Sequence, residues 1–331
     1  MKTRIPEVDI LKGFAMICMI IGHSIIVFPV DISHVPWCES LHNFIYSFHM
    51  ELLFLLSGFL YKKKDIVPYL KGKVNRILVP YLIWGAIFLL MPVLFSSVVH
   101  RDTSLVDGIS NYLLYGGGYW FLYALFFVFL IYPLFDIFGK WGKMLLLVVI
   151  IVVNYFWDAP TILCIDQIMY YLPFFMTGNL LYDFFVRSGR DYNLDNYAGI
   201  IGVAFLAVFL FNHYCHLPEF FSILISTTCI MGMISVCAHY IYTIAIDRKD
   251  ILQNKFVNIA SLCGQYSLQL YLFNGFLLVI LRIVICSLLH IENPVIIVTA
   301  ISGIDIIISL LVCKYVLPKS RCISYICGVK S

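Results

Sequence analysis

The first apolar segment, DILKGFAMICMIIGHS, carries two side chains whose types and spacing suit acid–base chemistry, Lys12 and His23. They stand eleven positions apart. At about 100° per residue this makes three helical turns plus about 20°, so both would project from one helix face, roughly 16 Å apart along the axis. Since histidine has the unperturbed pKa closest to neutrality, His23 can take a proton from a hydroxyl and return one to a leaving group. We therefore expect His23 to be catalytic, with Lys12 on the same cavity wall; the alternatives are a histidine bonded to a backbone carbonyl and a snorkelling lysine.

A second polar pair, His49 and Glu51, interrupts the apolar segment FHMELLFLLSGF. The antiparallel course of the second helix would bring both to a depth similar to that of His23. Two positions correspond to about 200° on a helix, so the two side chains cannot both face the same neighbour. An ionisable residue at that depth costs about 3 kcal/mol and is a functional hypothesis by default. We expect one of the pair to orient His23 or to bind a substrate, and the other to pack.

Four polar residues share one face of a late apolar segment, within about 60° of arc on a helix. They are Ser267, Tyr271, Asn274 and Arg282. Such a stripe either links helices, at about 0.6 kcal/mol per hydrogen bond, or lines a substrate channel. Arg282 needs an anionic partner or water, which favours the channel and makes Asp305 or Glu51 the expected counter-ion.

Six basic residues cluster between the second and third apolar segments. They are Lys62, Lys63, Lys64, Lys71, Lys73 and Arg76. A cluster of this kind attracts either the head groups of inner-leaflet lipids or the phosphates of a soluble donor molecule. On the opposite side, Tyr119 and Trp120 follow three glycines, and aromatic residues there are either interface anchors or faces on which sugars stack.

The composition requires that these residues be positioned by membrane helices. Apolar residues make up 62% of the 331 positions, charged residues 12%, and the mean hydropathy is +0.93, which leaves too little polar surface for a water-soluble globule. The apolar runs are continuous and do not alternate with polar residues, so they predict helices and not a barrel. We expect an all-α membrane protein with a single domain over residues 1–331.

About twenty apolar residues span a bilayer, and this length predicts ten spans. They lie near 8–30, 40–61, 78–99, 119–138, 144–157, 167–186, 196–212, 220–246, 258–289 and 294–313. With the N-terminus inside, 19 of the 22 lysine and arginine residues fall in cytoplasmic segments, Lys140 and Lys143 among them, and only Arg101 lies in an outer loop. This asymmetry predicts that both termini are cytoplasmic.

Two function classes find no support in the sequence. The net charge of +3 reflects the sidedness of the loops, and no basic domain exists that would bind nucleic acid. The eleven cysteines show neither a CxxC pair nor metal-ligand spacing, so we expect no metal and read them as packing residues.

Six strings of the sequence together resemble the signatures of one family, in the family's order and over most of the chain. They are DILKGFAMICMIIGHS, FHMELLFLLSGF, RILVPYL, YWFLYALF, YLPFFMTGNLL and GQYSLQLYL. The first matches a pattern of a basic residue, ten spacers and a histidine. The chain thus resembles the membrane O-acyltransferases called acyltransferase family 3, near the fucose 4-O-acetylase-like branch.

The resemblance implies transfer of an acetyl or other short acyl group from cytosolic acyl-CoA to a hydroxyl of a carbohydrate or lipid-linked saccharide, in a bacterial inner membrane. It implies that His23 is the catalytic histidine and that Lys12 and Arg76 contribute to donor binding. Two positions depart from the family pattern, since Glu51 stands where proline is common and Asn274 where histidine is common. Both departures bear on the identity of the acceptor.

These observations define an expected site. His23 acts as general base or, as the alternative, carries the acyl group covalently, with Lys12, His49 and Glu51 in its support. Lys71, Lys73 and Arg76 receive the phosphates of acetyl-CoA or another acyl-CoA. The acceptor side consists of Tyr119, Trp120, Ser267, Tyr271, Asn274 and Arg282. Membrane lipids and a second copy of the chain are the further expected partners, and the rival hypothesis is a saccharide or lipid transporter in which His23 relays protons.

Overall fold

A computed structural model of the chain describes residues 6–26, 31–94, 105–183 and 255–329. Within these ranges every regular element is a helix and no strand is present, which confirms the all-α prediction. The helices are α1 Pro6–Ile26, α2 Pro36–Tyr46, α3 His49–Phe59, α4 Ile66–Lys73, α5 Val79–Leu94, α6 Leu105–Tyr115, α7 Trp120–Ile131, α8 Gly139–Phe156, α9 Ile165–Leu181, α10 Lys255–Gln265, α11 Ser267–Arg282, α12 Pro294–Leu311 and α13 Arg321–Ile326.

Five helical stretches of the described ranges are long and apolar enough to cross a membrane. They are Val8–Ile26, Ile66–Leu90, Val106–Phe156, Ser267–Leu288 and Pro294–Lys319. The chain is therefore a multi-pass membrane protein. The count of ten spans stays a prediction, and the expected spans 196–212 and 220–246 lie outside the described residues.

Two of the expected spans are broken in the structure. The span expected at 40–61 divides into α2 and α3 at Ser47, whose hydroxyl donates to the carbonyl of Phe44 at 2.7 Å. The span expected at 258–289 divides into α10 and α11 at Tyr266. Hydropathy did not predict the break at Ser47, because it measures how apolar a segment is and not whether a side chain competes for the helix carbonyls.

The chain divides into two compact units. The first comprises residues 1–56 and 184–311, and the second comprises 57–183 and 312–331. In the second unit, α5 and α6 are joined by Tyr81 and Tyr112, whose rings stack at 4.4 Å and whose hydroxyls each donate to the other's backbone carbonyl. This reciprocal pair satisfies two buried hydroxyls without water.

The first unit is built on a direct backbone contact between α1 and α10. A Cβ atom added to Gly13 would lie 1.7 Å from the carbonyl oxygen of Ala260, and one added to Gly264 would lie 1.7 Å from that of Asp9. Glycine is required at both positions because no side chain fits between the helices. Such close approach through small residues is the usual means by which membrane helices associate.

Gly13→Ala should destabilise the first unit, because the methyl group forces α1 and α10 apart. We expect a loss of at least about 2 kcal/mol, seen as a lower temperature of unfolding in detergent. Gly303→Ala in α12 is the matched control, because nothing lies within 4 Å of its Cβ position, and it should leave that temperature unchanged or raise it slightly. Equal behaviour of the two variants would contradict the helix contact.

Candidate active site

His23 lies in the last turn of α1, half-buried, and contacts α11. Its Nδ1 atom is 2.9 Å from Oδ1 of Asn274, which is 1% exposed. The two residues are 251 positions apart in the chain, so the contact is made by the packing of α1 against α11 and not by local sequence.

Asn274 in turn contacts a buried carboxylate on α12. Its Nδ2 atom donates to Oδ2 of Asp305 at 2.8 Å, and Ser309, one turn further along α12, donates to Oδ1 at 3.0 Å. Asp305 and Ser309 are both fully buried. The carboxylate thus has a donor on each oxygen, which a charge at this depth requires.

This arrangement determines the tautomer of His23. An ionised carboxylate only accepts hydrogen bonds, so the amide of Asn274 must direct its NH₂ group to Asp305 and its oxygen to His23. An amide oxygen also only accepts, so Nδ1 of His23 carries the proton and Nε2 has the free lone pair. In this tautomer the neutral ring has its free lone pair on Nε2, the atom through which an imidazole can accept a proton.

Arg282 is the last residue of α11, fully buried, and donates to the backbone carbonyl of Ser24. Ser24 belongs to the last turn of α1, where carbonyls have no partner within the helix and the helix dipole is negative. Arg282 thus caps α1 directly beside His23. Its Nε and Nη1 atoms have no hydrogen-bond partner among the described residues.

Asp305 and Glu51 are the two counter-ions expected for Arg282, and the first of them is engaged elsewhere. Asp305 accepts from Asn274 and Ser309 instead. Asp31, exposed in the segment after α1, is influenced by Arg282: hydrogen bonds from Ser33 and, to a smaller extent, the charge of Arg282 hold the pKa of Asp31 below its ordinary value. The reason is geometric, because the cap at Ser24 directs the guanidinium to the end of α1.

His49 is 1% exposed, and its Nδ1 atom lies 2.8 Å from the carbonyl of Ile45. The ring of Tyr46 lies among three imidazoles, with centroids 3.9 Å from His42, 4.8 Å from His49 and 6.1 Å from His23. His49 therefore reaches the neighbourhood of His23 through Tyr46, which the sequence pattern did not single out.

The remaining expected residues of the first unit lie on α1, α3 and α11. Glu51 is buried on α3. Lys12 is half-buried on α1 and interacts electrostatically with Asp9, one turn away. Ser267, half-buried, is the first residue of α11, and Tyr271 is buried one turn before Asn274.

The expected residues of the second unit fall into two groups. Lys71 and Arg76 are exposed, whereas the ammonium of Lys73 lies 3.1 Å from the ring centroid of Phe129. Tyr119 is 2% exposed, with its ring edge-on to that of Phe88 at 5.9 Å. Trp120 is half-buried and stacks on Tyr171 at 5.6 Å.

Lys143, expected in the segment between two spans, lies instead within helix α8. Lys143 is 6% exposed on α8 and forms an ion pair with Asp136 at 2.5 Å. Charge counting assigned it to a loop because it stands at the edge of an apolar run, and the partner that allows its burial is recognised only in three dimensions.

In the described ranges, no three His, Cys, Asp or Glu side chains lie close enough together to hold a metal ion.

Comparison with known proteins identifies the family. A family model described as an acyltransferase domain matches residues 5–314, nearly the whole chain, and the chain belongs to this family, acyltransferase family 3. With its apolar helices, it is a multi-pass membrane member of that family. The family prediction is thereby confirmed, and the fucose 4-O-acetylase-like branch stays a prediction.

One curated relative is the nodulation protein NolL of Mesorhizobium japonicum, 29% identical over 125 residues, which are 36% of this chain and 32% of NolL. The chain thus matches about a third of that relative's length. No solved structure matches the chain.

Asn274→Leu should lower the rate of acyl transfer by about a hundredfold or more, because His23 loses the acceptor that fixes its tautomer. The measurement is the transfer rate per inserted molecule. Asn154→Leu is the matched control, since Asn154 also links two helices, by donating to the carbonyl of Met169 at 2.7 Å, but in the second unit. Similar losses in both variants would mean that Asn274 acts only through packing.

Proposed function

We propose that this acyltransferase moves an acetyl or other short acyl group from cytosolic acyl-CoA to a hydroxyl of a carbohydrate or lipid-linked saccharide, with His23 as general base. The observation that carries the proposal is the chain of hydrogen bonds from His23 through Asn274 to Asp305. It leaves Nε2 of His23 as a basic lone pair, which activation of a hydroxyl needs.

In the proposed reaction the acceptor hydroxyl gives its proton to Nε2 of His23 as its oxygen attacks the thioester carbonyl. The tetrahedral intermediate collapses, the carbon–sulfur bond breaks, and the imidazolium returns the proton to the thiolate of CoA. During these steps His23 carries a positive charge. The oxygen of Asn274, itself bonded to the Asp305 carboxylate, stabilises that charge through Nδ1–H without taking the proton.

The donor's phosphates are assigned to the basic cluster of the second unit, with Lys71, Lys73 and Arg76 as the principal groups. Exposure of Lys71 and Arg76 supports this assignment, because both can meet a soluble ligand. Phosphate is bound well by several cations acting together. Lys12, on the face of α1 that leads to His23, is assigned to the thioester end of the donor.

The acceptor is assigned to the other polar and aromatic residues. Trp120 is supported best, because one face of its half-buried ring lies against Tyr171 and such a fixed ring suits stacking on a sugar. Arg282 has buried donors without partners among the described residues, which suits an acceptor that carries oxygen atoms. His49 and Glu51 are assigned to the support of His23.

Ten spans with both termini in the cytoplasm, in a bacterial inner membrane, complete the proposal. The basic cluster that binds the donor then faces the cytosol, and the loop at Asp158 faces the opposite side.

A fluorescent protein fused after residue 329 should fluoresce, because it folds in the cytoplasm. Alkaline phosphatase fused after residue 158 should be active, because it folds outside the cytoplasm. A reversed pattern would overturn the orientation.

The central test is transfer of labelled acetyl from acetyl-CoA to envelope glycans, with release of free CoA thiol. His23→Ala should abolish both signals, a loss of at least about a thousandfold, while inserting at the parent's level. His34→Ala is the control, because His34 is exposed in the loop before α2 and should leave both signals unchanged.

The outcomes separate the enzyme from a transporter. A transporter would consume no acyl-CoA, so the absence of thiol release in the parent would favour it. Equal labelling by the parent and His23→Ala would remove His23 from the mechanism while leaving acyl transfer established.

A further inference from the structure

A buried network of polar side chains lies in the second unit, apart from the residues assigned to the reaction. Nζ of Lys143 is 2.5 Å from Oδ1 of Asp136 and 3.0 Å from Oδ1 of Asn179. The hydroxyl of Tyr61 donates to Oδ2 of Asp136 at 2.5 Å, and that of Tyr132 donates to Asn179 at 2.8 Å. Both oxygens of the carboxylate are thus engaged.

A buried ion pair seldom stabilises a protein more than apolar residues of the same volume would. Each charge costs several kcal/mol to remove from water, and the gain lies in fixing one geometry. The side chains of Lys143 and Asp136 are only 8% and 7% exposed. A role in positioning therefore explains this pair better than stability does.

The element that the network positions begins at the next residue. Tyr61 is buried and directly precedes the basic segment, residues 62–76, in which Lys62, Lys63 and Lys64 are exposed. The segment contains no aromatic residue except Tyr69. Tyr61 thus fixes the start of the basic segment through its hydrogen bond to Asp136.

Two further contacts fix the same segment against α7. The hydroxyl of Tyr69 donates to the backbone carbonyl of Phe129 at 3.0 Å, and the ammonium of Lys73 lies over the ring of Phe129. The buried Tyr61 and Tyr69 are therefore anchors, while Lys71 and Arg76 are exposed. Buried anchors between exposed cations suit a preorganised anion site, because cations whose positions are already fixed lose less conformational freedom on binding.

We propose that Tyr61, held by the Asp136–Lys143 pair, is a positioning residue that presets the basic segment to receive the phosphates of the CoA donor. The inference rests on the proposed function, because it takes that donor as the ligand. Tyr61 touches neither the thioester nor the acceptor in this account. It acts on binding through the geometry of the cations that follow it.

Tyr61→Phe is the sharpest test, because it removes one hydroxyl and keeps the ring packed against Tyr132 and Phe175. Equilibrium binding is measured in phosphatidylcholine nanodiscs, where anionic lipid does not compete for the cations. Coenzyme A is one probe and pantetheine, which has the thiol arm but no phosphate, is the other. The variant should bind CoA about tenfold more weakly and pantetheine as the parent does.

Tyr123→Phe is the matched control, because Tyr123 is buried in the same unit and its hydroxyl donates to a backbone carbonyl, that of Leu113, at 3.0 Å. It should leave the binding of both probes unchanged. A second variant, Asp136→Asn with Lys143→Met, removes both charges together so that neither is left unpaired. It should reproduce the selective loss of CoA affinity.

Each outcome is decisive. Equal weakening of CoA and pantetheine by Tyr61→Phe would reduce the network to a structural role and overturn the inference, as would unchanged CoA binding. A parent protein that binds CoA no better than pantetheine would instead overturn the donor assignment on which the inference rests.

Discussion

The site depends on one buried carboxylate. Asp305 is fully enclosed on α12, and a carboxylate in such surroundings is tolerated only when its oxygens have hydrogen-bond donors. The amide of Asn274 and the hydroxyl of Ser309 are those donors. The orientation of the amide, the tautomer of His23 and the free lone pair on Nε2 all follow from this requirement.

The two units use buried charge in different ways. In the first unit, Arg282 and Asp305 are not paired with each other. Arg282 donates to a carbonyl at the end of α1, and Asp305 accepts from the side chain of Asn274, so each bonds a group next to His23. In the second, Lys143 and Asp136 neutralise each other within a closed network. An apolar bundle thus accepts charge either by solvating it with helix ends and amides or by pairing it.

The sequence predicted much of this architecture, for identifiable reasons. Helices follow from continuous apolar runs, and His23 and Asn274 stand out in the sequence because polar residues in such runs are costly. The faces were predictable because helical periodicity is local. Which faces meet was not: Asp305 was expected beside Arg282 and instead bonds Asn274, and Lys143 was assigned to a loop because Asp136, seven positions earlier, is not recognisable as its partner from spacing alone.

The backbone contact of α1 with α10 has a consequence for biogenesis. His23 and Asn274 are 251 positions apart, and Gly264, which contacts the backbone of α1, is also late in the chain. The ribosome therefore delivers α1 to the membrane long before the helix against which it packs exists. During that interval the polar face of α1 has no native partner, and insertion machinery or water must hold it. The last helices synthesised are thus the ones that complete the site. A chain interrupted before α11 would carry a first helix whose polar side chains have no native partners, and quality-control proteases can recognise such a helix.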